Sequence, residues 1–296
     1  MNLSRREILG TLAAAAGLDG AGYGPSLAVQ IYVFTQQFSQ RKQTPAEGMV
    51  EAFPAIKRAG YRRVELVSQF FSPELRAKTI ALLKDNGLEC PIAYSGGAFH
   101  DAAECEKAVE EALELAAAAT PAGAKAILVN PSPKPQQALK TEAELATQVK
   151  SLDKLGAELR KRGMKLMTHY HTPELKEKGR EWRYQLAHSD PKLLWICIDA
   201  DWSVRGGDDP MVMLRESGQR LLSLHLRTGK QGVWAEALGD GDPDYHAIAA
   251  DLKKLKFSGY LVVELAYEKA TKITRSLEEN IRVSREYAEQ VFGVKA

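Results

Sequence analysis

The chain has 296 residues, is 45% hydrophobic and carries a formal charge of +2. That length and balance fit one large globular domain or two small ones. No basic run interleaves with aromatics, which excludes nucleic acid as the expected partner, and no stretch reaches the roughly 18 apolar residues of a membrane span. Cys90, Cys105 and Cys197 are an odd count without paired spacing, which argues against a disulfide framework.

In chain order, the first feature is Ser4-Arg5-Arg6-Glu7-Ile8-Leu9-Gly10 followed by TLAAAAG, a paired arginine leading into a short Ala-rich run. It resembles a twin-arginine export signal, which implies a periplasmic location. The alternative is an ordinary amphipathic N-terminal helix on a cytoplasmic protein. Leu18–Ser26 is Gly-rich and reads as a loop, so residues 1–26 are taken as leader and 27–296 as the folded domain. No clean A-x-A site follows, and cleavage is left open.

Beyond the leader, apolar runs alternate with helical patterns. Leu27–Phe34 reads as a strand, followed by the polar loop TQQFSQRKQ and a helix from Thr44-Pro45 to Ala59-Gly60. Arg63–Val67 is the second strand and carries Glu65. A helix opens at Ser72-Pro73 and stops at Asn86-Gly87, and the third strand is Leu88–Tyr94. Asp101–Ala119 is a long helix, Ala124–Asn130 the fourth strand and Glu142–Lys161 a helix ended by Gly163. Lys165–His169 is the fifth strand, running into HYHTPE, with Lys176–Leu186 helical after it.

Leu194–Ile198 and Leu221–Leu224 are the sixth and seventh strands, joined by a Gly-Gly turn and the helix MVMLRESG. A long loop, TGKQGVWAEALGDGDPD, leads to a helix at Tyr245–Leu255, the eighth strand at Tyr260–Leu265 and a last helix at Thr274–Phe292. Eight strands alternating with helices over about 270 residues predict an α/β, single-domain (β/α)8 TIM barrel. No Gly-x-Gly-x-x-Gly follows the first strand, which removes the dinucleotide-binding open sheet.

Four polar groups fall at or near the ends of strands five to eight: His169, Asp199, His225 and Glu264. In a parallel barrel those ends are neighbours on the catalytic rim. Two imidazoles and two carboxylates suit one divalent Mn, Zn, Co or Fe ion better than Mg, whose sites are normally all oxygen. A single histidine at a strand end is more often an ordinary core or rim residue, but four such groups in successive strands form a pattern.

Several motifs together are similar to the xylose isomerase-like sugar phosphate isomerase/epimerase barrels, which include inosose dehydratase and endonuclease IV relatives. They are Gly60-Tyr61-x-x-Val64-Glu65-Leu66, His169-Tyr170-His171-x-x-Glu174, and Ile198-Asp199 with Trp202 and Arg205-Gly206-Gly207. Leu224-His225-Leu226-Arg227, Leu238-Gly239-Asp240-Gly241 and Gly259-Tyr260-x-Val262-Val263-Glu264 complete the series. The resemblance implies a metal held by the groups ending strands five to eight. It also implies a sugar or keto-sugar chelated through adjacent hydroxyl and carbonyl oxygens, and an acid–base carboxylate that moves a proton next to the carbonyl. Many members have Glu where this chain has His169. Glu264 then serves as one base, and the second comes from His169, His171 or Glu174. His171 is also an alternative ligand to His169. The Asp of the family's His-Leu-Lys-Asp is absent, since Thr228 follows Arg227.

Glu65 is read as contacting substrate or orienting a histidine, Trp202 and Trp234 as stacking on a sugar face, and Arg227 and Arg205 as holding an anionic group. Each has an ordinary structural alternative as an ion pair or a packed loop aromatic. The expected function is a metal-dependent sugar isomerase or epimerase. A lyase or hydratase on keto-sugars or keto-inositols is the alternative, and a phosphodiester hydrolase or a non-catalytic sugar-binding barrel ranks lower. The oligomeric state, monomer or homo-oligomer, is open.

Overall fold

The fold follows from the alternation of short β-branched runs with amphipathic segments. The computed structural model describes residues 22–296; the twin-arginine-like stretch lies outside them. The strands are β1 (Ser26–Gln30), β2 (Val64–Val67), β3 (Ile92–Gly97), β4 (Ala126–Pro131) and β5 (Lys165–Thr168). They continue with β6 (Leu194–Asp199), β7 (Leu221–Leu226), the two-residue strands β8 (Gly229–Lys230) and β9 (Val233–Trp234), and β10 (Tyr260–Val263). Eight of them close in the order β1-β10-β7-β6-β5-β4-β3-β2, every pair parallel, and β8 and β9 form a separate antiparallel hairpin. This is the expected (β/α)8 barrel.

The helices are α1 (Tyr32–Gln40), α2 (Pro45–Arg58), α3 (Arg76–Asp85), α4 (Cys105–Ala119) and α5 (Glu142–Lys161). After them come α6 (Lys176–His188), α7 (Ala200–Arg205), α8 (Pro210–Ser217), α9 (Tyr245–Lys254) and α10 (Leu277–Phe292). Capping chemistry sets several boundaries: Thr44 with Glu47, and Thr141 with Glu144, form complete capping boxes on α2 and α5. No described helix is long and apolar enough to cross a membrane. The three cysteines are free and buried.

Strand alternation separates two cores. Outward residues such as Val29, Val64, Leu66, Ile127, Leu166, Leu224 and Leu261 pack against the helices in one large cluster. Inward residues Ala28, Ile92, Ala126, Leu128, Met167, Cys197 and Val262 fill the barrel. Further along the same strands, the inward positions turn polar: Glu65, Asp199 and His225, with His169 and Glu264 one residue beyond β5 and β10. An apolar plug with a polar layer at the carboxyl ends is what makes the rim a site rather than a pore.

Sequence and structure differ at several elements. The predicted strand Leu27–Phe34 ends at Gln30, and what reads as a loop is α1, burying Val33, Phe34 and Phe38. The third strand starts at Ile92 rather than Leu88, because Pro91 lacks a ladder donor. The helix expected from Ser72-Pro73 begins at Arg76, with no side-chain cap and a 3-10 turn at Ser68–Phe71 before it. The long loop after β7 contains the β8–β9 hairpin.

Candidate functional site

His169 is held by its backbone. Its N–H donates to Val129 O at 2.9 Å, and its carbonyl accepts from Asn130 Nδ2 at 3.0 Å, so β4 fixes the residue that ends β5. Its ring is 1% exposed, and neither ring nitrogen has a hydrogen-bond partner among the described residues. Two unpaired nitrogens on a buried imidazole are costly unless something else takes them. Nε2 lies 3.9 Å from Asp199 Oδ2, and the ring centroid 4.8 Å from that of His225.

Asp199 divides its two oxygens. Oδ1 caps α7, accepting from Asp201 N and Trp202 N at 2.9 Å, while Oδ2 accepts from Arg227 Nη2 at 2.8 Å. His225 pairs in register with Asp199 on β6 and Val262 on β10. That alignment brings its Nδ1 to 2.6 Å from Glu264 Oε2. Close β7–β10 contact requires Gly259, where a Cβ would lie 2.1 Å from Leu222 O.

His169, Asp199, His225 and Glu264 therefore converge: one ligating atom from each lies within 4.8 Å of all the others, and all four residues are buried. Atoms bound to one ion at about 2.1 Å lie at most about 4.2 Å apart, so closing by about half an ångström would complete a coordination shell. The donor set and the unpaired nitrogens of His169 fit a divalent transition metal.

Charge around the group is unusual. Burial would raise the Glu264 carboxyl, but Arg227 and His225 outweigh it and hold it well below the ordinary carboxylate value. Asp199, likewise buried, is held low by Arg227 and His169. Burial opposes charge on His225, yet Cys197, Glu65 and Glu264 around it keep its pKa well above that of a free imidazole. Arg227 itself is 3% exposed, with Nη2 2.7 Å from Glu264 Oε2. Its backbone is pinned by Tyr245, whose hydroxyl accepts from Arg227 N at 2.8 Å and donates to Arg227 O at 2.6 Å.

The remaining expected residues fall into different positions. His171 stands beside His169, ring centroids 4.6 Å apart, and remains 32% exposed. Burial and then His169 pull its pKa down to about 3, so it is neutral. Glu174, expected as a catalytic group, lies against the His171 backbone. It is 3% exposed, its Oε2 accepts from His171 N at 2.7 Å, and it is not among the converging four. Glu65, expected to contact substrate or orient a histidine, is fully buried, with Oε2 3.2 Å from His225 Nε2.

Arg205, expected to hold an anionic group, is engaged in ion pairs. It is bound by Asp201 at 2.9 Å and Glu268 at 2.8 Å. Trp202 meets His171 edge-on at 5.3 Å and Trp234 at 5.3 Å, forming an aromatic corner over the group.

Sequence reasoning missed the residues that hold this corner. Asp201 Oδ2 accepts from Trp234 Nε1 at 2.7 Å, and Glu268 Oε2 accepts from Trp234 N at 2.9 Å. Asn130 was missed although it ends the fourth predicted strand, the same signal that marked the ligands. Asp201 sits two residues after Asp199, in the short helix α7 to which the sequence pattern assigns no element.

The family model for the xylose isomerase-like TIM barrel matches residues 53–288. The chain belongs to that family. Among curated xylose isomerase-like relatives, an inosose dehydratase of Clostridium perfringens is 29% identical over 167 residues, 50% of this chain and 55% of that protein. The chain thus spans about half the length of that relative. An inosose dehydratase of Geobacillus kaustophilus is 25% identical over 244 residues, 71% of this chain and 78% of the other.

Solved structures agree on the barrel. A sugar phosphate isomerase/epimerase from Parabacteroides distasonis superposes with a TM-score of 0.73 at 17% identity, covering 95% of this chain and 99% of that one. The 3-keto-D-glucoside 4-epimerase of E. coli gives 0.68 at 17% identity, covering 90% and 99%.

Proposed function

We propose that this barrel is a metal-dependent isomerase or epimerase of a sugar or keto-sugar, working by proton abstraction next to a carbonyl. The observation that carries the proposal is the convergence of His169, Asp199, His225 and Glu264, with both ring nitrogens of His169 unpaired. A divalent ion held by those four residues would polarise a carbonyl and acidify the neighbouring C–H. Glu264 is the carboxylate nearest the site that can take or return that proton. His171, neutral and partly exposed beside the group, is placed to carry a proton on the open side. Arg227 sets a fixed positive charge against the oxyanion of an enediolate. Trp202 and Trp234 close the site over the substrate ring.

A second reading, carbon–oxygen lyase, is favoured by one observation. The position that carries a Glu in many relatives is His169 here, which leaves Glu264 as the one carboxylate base among the converging groups not engaged as a helix cap. One base suffices to eliminate water next to a carbonyl, whereas inversion at carbon needs a donor on the opposite face. The curated relatives named as inosose dehydratases support the same reading.

The deciding experiment incubates metal-loaded protein with keto-sugars and a keto-inositol in D2O. Deuterium entering the carbon next to the carbonyl without mass loss supports the isomerase or epimerase. Product lighter by one water supports the lyase. Neither change with any substrate or metal retires both. Export is part of the proposal and rests on Arg5-Arg6 and the Ala-rich run; replacing both arginines by lysine should leave the protein in the cytoplasmic fraction. Unchanged fractionation rejects the twin-arginine route.

A further inference from the structure

Glu65 is not needed by the proton transfer described above, and its setting is expensive. It points inward from β2, is 0% exposed, and has no arginine or lysine within ion-pair distance among the described residues. Its register neighbour on β1, Gln30, is turned to its own turn, with Oε1 accepting from Tyr32 N. Glu65 Oε1 has no hydrogen-bond partner among the described residues, while Oε2 lies 3.2 Å from His225 Nε2 in hydrogen-bonding alignment. Sealing a carboxylate in a barrel opposite one imidazole is hard to explain by stability, because desolvation outweighs what one such contact returns.

The contact does carry information. With Nε2 aligned on Glu65 Oε2 as its acceptor, a ring that gives up one proton to bind an ion gives it up from Nδ1. That Nδ1 is the atom 2.6 Å from Glu264 Oε2, where the two are not aligned as donor and acceptor. The Cys197 thiol also touches this ring, but thiols are weak partners and fix no tautomer.

We infer that Glu65 is a positioning residue for the metal: from across the barrel it fixes the His225 tautomer and ring angle that aim Nδ1 into the four-residue group. This rests on the metal reading of that group, and it assigns Glu65 to the ion rather than to the substrate. Carboxylates behind ligating histidines raise ligand basicity and hold the ring in place, and their loss costs metal affinity roughly 10–100-fold.

The test measures Co2+ and Zn2+ affinity by chelator competition, and the visible spectrum of the Co2+-loaded protein, for wild type, Glu65→Gln and Glu65→Leu. The Leu variant is expected to bind both ions roughly 10–100-fold more weakly, with a shifted Co2+ spectrum and a metal-free melting temperature no lower than wild type. The Gln variant, whose amide oxygen can still accept from Nε2, is expected to fall between the two. Leu and Gln variants with wild-type affinity and spectrum overturn the positioning role while leaving the metal site standing. A wild-type protein that takes up no Co2+ overturns the metal reading itself. Should the Leu variant fail to fold, the Gln variant decides by its spectrum and affinity: unchanged values reject the role.

Discussion

His225 Nδ1 and Glu264 Oε2 stand 2.6 Å apart without pointing at one another as donor and acceptor. Glu264 and Glu65 favour the charged ring, so the pair is an ionic contact in the metal-free protein, and both atoms face a common third point where an ion would displace the Nδ1 proton. His169 Nε2 and Asp199 Oδ2 approach the same region from β5 and β6 at 3.9 Å. The relationship is built by register: β7 lies between β6 and β10, so one strand-end layer supplies all the donors.

Removing single donors should therefore remove the metal without removing the barrel. Asp199→Asn keeps an oxygen to cap Asp201 N and Trp202 N but loses the charge and the acceptor for Arg227 Nη2, which Glu264 still pairs. His169→Ala removes a ring with no hydrogen bonds to break. Both variants should lose bound metal by elemental analysis and still unfold cooperatively, at a cost of roughly 2–5 kcal/mol for a buried truncation or a broken buried pair. Stoichiometric metal in both would reject the ligand set.

Arg227 offers a second, opposite-signed test. Its guanidinium is the cation between Asp199 and Glu264, at 2.8 and 2.7 Å. In Arg227→Met the two buried carboxylates face each other alone, and breaking such a pair costs about 3–5 kcal/mol. Metal-free Arg227→Met should melt well below wild type, and saturating Zn2+ should raise its melting temperature by more than it raises the wild type's, because the ion replaces the missing charge. Equal metal-induced increments would show that Arg227 and the ion do not share the same carboxylates.

The barrel and its four converging groups were legible because both depend on period and position. Strands two to eight are short apolar runs bounded by turn residues, and each of the four groups stands at or near the point where such a run stops. The less legible parts depend on three-dimensional partners. Glu174 and Arg205 look like site residues in the chain, yet one is turned under the His171 backbone and the other into Asp201 and Glu268. Neither destination is encoded at fixed spacing. Helix α1 was hidden because Tyr32–Phe34 continues the apolar run of β1, and only the barrel closing at Gln30 ends the strand.

The buried Glu174 gives a pH dependence. Burial is the main cause that pushes its carboxyl up to about 7, against the hydrogen bond from His171 N that lowers it. A carboxyl raised in the folded state binds more protons there than in the unfolded chain. Its contribution is therefore fully present below the ordinary value near 4.5 and is lost as pH rises through about 7. The loss is of the order of 3 kcal/mol at most. Glu174→Gln keeps the acceptor for His171 N without the charge. Urea midpoints across this range should fall with pH in wild type relative to the variant. Parallel profiles would show that Glu174 does not titrate between those values.

The aromatic corner should control access. Trp234 lies between two guanidinium groups, Arg205 at 4.4 Å and Arg227 at 4.6 Å from its ring centroid, and its Nε1 is tied to Asp201. With all four converging residues buried, this corner is the proposed gate for a chelator or substrate. Trp234→Ala removes the cover and leaves every ligand in place. Metal release to excess chelator, followed by stopped flow, should speed up on the order of tenfold, equivalent to about 1.4 kcal/mol of barrier. Trp234→Phe keeps the ring between the arginines, loses only the Nε1 bond, and should release metal at an intermediate rate. If both variants release metal at the wild-type rate, the corner is not the gate, and access must run past the exposed edge of His171 instead.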